Sequence, residues 1–142
     1  MTEPTVHALS AHELLVRLQS TPLLGHHLPG LRRDLGLLAA HVTASPNRKL
    51  EAKALAIGAR LAVADATSDA ISRLATAMAA VGREGDLIEE DALRLLMARA
   101  LADQRQVARA RDLVGDALGR AMNTPSLAAD VHLASAAVGF GD

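Results

Sequence analysis

Histidine is the side chain in this sequence best suited to proton transfer or metal binding. It occurs at His7, His12, His26, His27, His41 and His132. Only His26 and His27, with Asp34 close in sequence, suggest a ligand set. Adjacent residues on a helix point about 100° apart, so these two imidazoles would diverge. Neither an HExxH nor an ExxH pair occurs. The histidines are expected at surface or partly buried positions, with no metal and no cofactor. The absence of cysteine removes disulfides, thiolate ligands and cysteine nucleophiles. Serine, histidine and aspartate all occur, but no spacing groups them as a triad. Gly25, Gly30 and Gly36 are too scattered to cradle a phosphate. The chain is therefore read as non-enzymatic.

The charged residues suggest placement rather than chemistry. Glu84, Asp86, Glu89, Glu90 and Asp91 lack calcium-loop spacing. They fit the start of a helix, where carboxylates favour the positive end of the dipole. Arg94, Arg99, Arg105, Arg109, Arg111 and Arg120 alternate with Asp103, Asp112 and Asp116. Asp112 lies one turn from Arg109 and Asp116 one turn from Arg120, which predicts intrahelical pairs on a solvated face. The net charge is −1 and Phe140 is the only Phe, Tyr or Trp, so nucleic-acid binding is not expected.

These side chains must be carried by helices. The chain has 142 residues, half of them apolar, which is enough for one domain with a core. The apolar residues are mostly Ala and Leu, which suits closely packed helices and not a β-sandwich. The start, MTEPTVHALSAHELL, has no basic region and no long apolar run, so it is not read as a signal peptide. The uncharged stretch from Leu35 to Ser45 is too short to span a bilayer. A cytoplasmic location without membrane contact is expected. Arg far outnumbers Lys, which is present only at Lys49 and Lys53; this reads as the product of a GC-rich genome.

Residues 1–9 are read as loose. Ser10 to Glu13 has capping-box spacing and predicts a helix to about Gln19, with Leu14, Leu15 and Leu18 on one face. Pro22, Gly25, Pro29 and Gly30 predict a loop or short turn before a helix over 31–43. Ser45-Pro46 reads as a cap followed by proline at the first position of a helix over 46–65. A turn near Asp65 to Ser68 leads to a helix over 67–81, stopped by Gly82. An Asp86 cap opens a helix over 87–103, and a turn at Gln104 to Gln106 leads to one over 107–122. Thr124-Pro125 opens the last helix, over 125–138, which ends at Gly139-Phe140-Gly141.

Ile57 to Met122 repeats itself at a spacing of 40 residues. Gly58 matches Ala98, Leu61 matches Leu101, Ala70 matches Ala110, Leu74 matches Val114, Ala77 matches Ala117 and Met78 matches Leu118. Small residues are expected where two helices approach, with Gly58 facing Ala70 and Ala98 facing Ala110. This order of small and bulky residues resembles the tetratricopeptide repeat family over about residues 48–122, with a truncated third unit at 125–138. The family's aromatic positions are empty here, Asp65 and Arg105 stand at its turn glycine, and the spacing exceeds its 34 residues. The resemblance implies an all-α chain of antiparallel hairpins stacked as a short right-handed solenoid. It also implies a protein-binding module. A peptide or partner helix would lie on the face made by helices 46–65 and 87–103, meeting Lys49, Lys53, Arg60, Arg99 and Asp103. The alternative is an up-down helical bundle that self-associates through its Ala/Leu faces as a structural or regulatory homo-oligomer.

Overall fold

The computed structural model describes residues 9–139. His7, Phe140, Gly141 and all of the expected loose start except Leu9 lie outside them. The described residues are 82% helical and contain no strand. They form α1 (Ala11–Ser20), α2 (Leu28–Ala44), α3 (Arg48–Ala64), α4 (Ala70–Arg83), α5 (Leu87–Asp103), α6 (Val107–Ala121) and α7 (Ala128–Val138). Short 3-10 turns at Gly25–His27 and Pro125–Leu127 lead into α2 and α7.

The helix ends follow from specific hydrogen bonds. Ser10 and Glu13 form the expected capping box: the Glu13 amide donates to Ser10 Oγ and the Ser10 amide to the Glu13 carboxylate. Asp86 accepts from the Glu89 amide at 3.2 Å, as expected for a cap. Five expectations need correction. Helix α4 starts at Ala70 and not at 67. Thr124 makes no side-chain cap and donates instead to Arg120 O, and Pro125–Leu127 form a 3-10 turn before α7. The cap of α3 is Asn47, which accepts from the Leu50 amide at 3.0 Å; Ser45 and Pro46 precede the helix. Helix α2 starts earlier than expected, because Pro29 has no amide to satisfy and fits the first turn. Gly82 does not stop α4, which runs on to Arg83; Gly85, with φ of 78°, makes the left-handed turn that follows.

Each helix packs against its neighbours in sequence, and α5 also packs against α7. Helix α5 therefore lies among α4, α6 and α7, and Leu93, Leu95, Ala98 and Leu101 on it are fully buried. The larger core cluster joins these to Leu74, Ala77, Val114, Ala117 and Ala134. A smaller cluster under α1 and α2 contains Leu14, Leu18, Leu31 and Leu38 and reaches Leu61 of α3. Full burial of one such leucine contributes about 1.5–3 kcal/mol. Helix α3 links the clusters, because Ala52, Ala56 and Ala59 face one and Leu61 faces the other.

The matched positions agree in burial. Gly58, Leu61, Ala70, Leu74 and Ala77 are buried, as are their counterparts 40 residues on, and Met78 and Leu118 are both half-buried. The inter-helix turns instead repeat at 39 residues. Ala66 and Arg105 hold the left-handed conformation, with φ of 55° and 65°. The Thr67 amide then donates to Ala62 O, and the Gln106 amide to Leu101 O. The left-handed residue in the first copy is thus Ala66 and not Asp65. Gly58 does not face Ala70: a Cβ there would meet only Leu35 Cδ2 on α2, at 3.3 Å. The glycine lets α2, not α4, approach α3.

Candidate functional site

Lys49, Lys53 and Arg60 lie along one edge of α3, within about 40° of each other. Both lysines are exposed and Arg60 is half-buried. Arg60 donates two hydrogen bonds across to Glu89 of α5, at 2.7 and 2.6 Å. Planar, two-pronged pairing of this kind fixes geometry as well as charge. The bond to Glu89 raises the Arg60 pKa against the opposing effect of burial. Asp130 of α7 joins this face. Burial pushes its carboxyl up, and the attraction of Arg60 and Arg99 only partly offsets that.

The five residues singled out from sequence divide accordingly. Lys53 and Arg60 line a hollow of about 260 Å³ with Leu18, Leu23 and Glu89. Lys49 and Lys53 line another, of about 370 Å³, with Val81, Glu84 and Asp86. Arg99 is half-buried and acts on the same Asp130 as Arg60 does. Asp103, the last residue of α5, is exposed and lines neither hollow. Glu89 and Asp130 belong to this face and were not singled out. Glu89 reads in sequence as first-turn acid, and its pairing with Arg60 depends on how α3 and α5 are set side by side.

The remaining charges mostly tie helices together. Asp91, 4% exposed, accepts from Arg120 of α6 at 2.8 and 2.9 Å and also pairs with Arg94. Burial pushes the Asp91 carboxyl up, but the two arginines outweigh it and hold the group below the usual carboxylate range. The acidic cluster is therefore more than a helix start. Arg120 also reaches across to Asp91 rather than along its own helix to Asp116, and Arg109 forms no ion pair with Asp112 among the described residues. Arg17 holds both oxygens of the buried Asp34 at 2.8 and 2.7 Å, joining α1 to α2. His26 and His27 sit in the 3-10 turn before α2 with their rings 4.0 Å apart, so the two adjacent imidazoles do not diverge as expected. No group of three metal-ligating side chains occurs among the described residues. His41 Nε2 donates to the Leu9 carbonyl at 2.9 Å.

A second surface was not singled out from sequence at all. Two adjoining hollows of about 400 and 420 Å³ run along α3 between α2 and α4. They share Leu35, Ala39, Gly58, Asp69 and Arg73 and together form one groove. Asp69 pairs with Arg73 at its rim, and Arg32 with Asp65 at one end. No helix among the described residues is long and apolar enough to cross a membrane. No protein-family model, curated protein or solved structure matches the chain.

Proposed function

We propose that the chain is a tetratricopeptide-like scaffold of stacked helical hairpins that holds a peptide or partner helix on the face of α3 and α5. The observation that carries this reading is the Arg60–Glu89 bridge. It joins α3 to α5, with exposed Lys49 and Lys53 on one side and Arg99 and Asp130 on the other. The matched burial of the two copies supports the stacked arrangement, as does the packing of α5 on both α6 and α7. An acidic side chain of the ligand would meet Lys49 and Lys53, and an apolar one would enter the hollow lined by Leu18, Leu23 and Ile57. The double variant Lys49→Glu/Lys53→Glu tests this. Both lysines are exposed, so the melting curve should not move, while a partner captured by the wild-type chain should be lost. Equal capture by both proteins would remove the face from consideration.

One observation favours self-association as a second reading. Leu87, Ile88 and Met122 are 59%, 53% and 72% exposed. The Arg120–Asp91 pair brings the end of α6 beside the start of α5, where these three residues lie. A monomeric mass by light scattering at high concentration would exclude a homo-oligomer.

A further inference from the structure

The chain has two cores, and α3 is shared between them. In the smaller one, six of the seven buried residues belong to α1 and α2: Leu14, Leu15, Leu18, Leu28, Leu31 and Leu38. Helix α3 contributes Leu61. Its Leu50, Ala54 and Ile57 touch the same cluster but stay half-buried even with the hairpin in place. On its other side α3 buries Ala52, Ala56 and Ala59 almost completely in the larger core. The junction between the α1–α2 hairpin and α3 is therefore less well sealed than the packing within α3–α7.

The polar ties divide the same way. Arg17 holds Asp34, and His41 holds the Leu9 carbonyl, within the hairpin and the residue before it. Arg60–Glu89, Arg120–Asp91 and the bond from Arg111 to the Val138 carbonyl join helices of α3–α7. The Arg32–Asp65 pair crosses from hairpin to α3, with side chains 51% and 33% exposed, so it contributes little. The hairpin also has space on both sides. The hollows of about 400 and 420 Å³ separate α2 from α4, and that of about 260 Å³ separates Leu18 and Leu23 from Lys53, Arg60 and Glu89. Ser45, Pro46 and Asn47, which join α2 to α3, are exposed and belong to neither helix. We infer that α1–α2 is a hinged lid that swings about Ser45–Asn47 while α3–α7 stays folded. Opening uncovers Leu50, Ala54, Ile57 and Leu61 along one stripe of α3 and takes the Leu18–Leu23 wall away from the hollow beside Lys53. Segments with few buried contacts open at lower free energy than the whole molecule, which is the behaviour expected here. Control of access to that hollow rests on the lysine-face reading; the motion itself does not.

Thiol labelling of single-cysteine variants of the full chain tests the lid, since the chain has no cysteine of its own. Rates are measured over a series of urea concentrations below the unfolding transition and expressed relative to the unfolded chain. Leu61→Cys and Leu101→Cys make the same change at matched positions, 5% and 0% exposed, one under the lid and one inside α3–α7. Ala56→Cys, 1% exposed on the other side of α3, reports whether α3 leaves its neighbours. Leu31→Cys reports the lid's own inner face and replaces Leu61→Cys should that variant not fold. Leu61→Cys and Leu31→Cys should label about tenfold or more faster than Leu101→Cys and Ala56→Cys. Their rates should also rise less steeply with urea, because opening the lid exposes less surface than unfolding the chain. One shared rate and slope for all four variants would overturn the lid, by making the chain a single cooperative unit. Labelling of Leu61→Cys that ignores urea would overturn it too, because the thiol would then be reached without any opening. So would Ala56→Cys tracking Leu61→Cys, which places the break beyond α3, or fast labelling of Leu31→Cys with Leu61→Cys as slow as Leu101→Cys. No ligand enters the test, so its outcome is separate from that of the lysine variants.

Discussion

Replacing Ala110 with leucine tests the packing of the repeat. Ala110 is 0% exposed on α6, with Val114 and Ala117 equally buried one and two turns later. Leucine adds three carbons at a point with no free surface, and such overpacking typically costs about 1–3 kcal/mol. For a chain of this length each kcal/mol lowers the melting temperature by about 4 °C, so a fall of about 4–12 °C is expected. Ala70→Leu, at the matched position, should fall at the low end. Ala70 is 6% exposed and is the first residue of α4, where the preceding turn can yield. Ala79→Leu and Ala108→Leu are controls at exposed sites and should stay within about 0.5 kcal/mol of wild type. Urea unfolding followed by far-UV circular dichroism gives all four values. Should Ala110→Leu match wild type while Ala108→Leu unfolds the chain, the inward face of α6 has been assigned wrongly.

Ala66→Gly and Arg105→Gly should each stabilise by about 1 kcal/mol in the same assay, because both residues hold a left-handed conformation that glycine adopts without strain. Two carboxylates should show opposite pH dependence. The Asp91 carboxyl is held low, so its stabilisation is present above the ordinary carboxylate pKa of about 4 and is lost as pH falls through the lower folded value. Asp91→Asn should therefore cost more stability at pH about 7 than at about pH 3. The Asp130 carboxyl is raised, so folding favours its protonated form and that advantage is lost as pH rises through the folded value. Asp130→Asn should match wild type in acid and gain on it towards neutrality, read from urea midpoints at the two pH values. Chelator treatment should leave the melting curve unchanged, since no three-ligand group occurs among the described residues.

The helices were legible because their signals are local. Ser10 with Glu13, and Asp86, cap as their spacing predicts, and Leu14, Leu15 and Leu18 share a buried face. Boundaries failed where two local signals compete. Asn47 takes the cap that Ser45-Pro46 advertises, and Gly85 makes the turn that Gly82 advertises, although both glycines lie near the helix end. The repeat was legible as a burial pattern, since each matched pair keeps its environment. The contacts across it were not. Gly58 meets Leu35 because a helix turns about 100° per residue, so its direction depends on the lateral placement of α2. The same applies to the lysine face. Lys49, Lys53 and Arg60 share an edge by helical spacing alone, but Glu89 and Asp130 join them only through packing between helices. The groove left no signal in the sequence beyond two unremarkable glycines.

The most direct test of the interaction face is site-specific photocrosslinking in cells that express the chain. A photoreactive residue is placed at Lys53, at Arg99, and at exposed Ala108 on α6, and adducts are identified by mass spectrometry. Adducts to one common protein from positions 53 and 99, and not from 108, are expected if α3 and α5 form the binding face. Adducts from position 108 with none from 53 or 99, or the same adducts from all three, would contradict it.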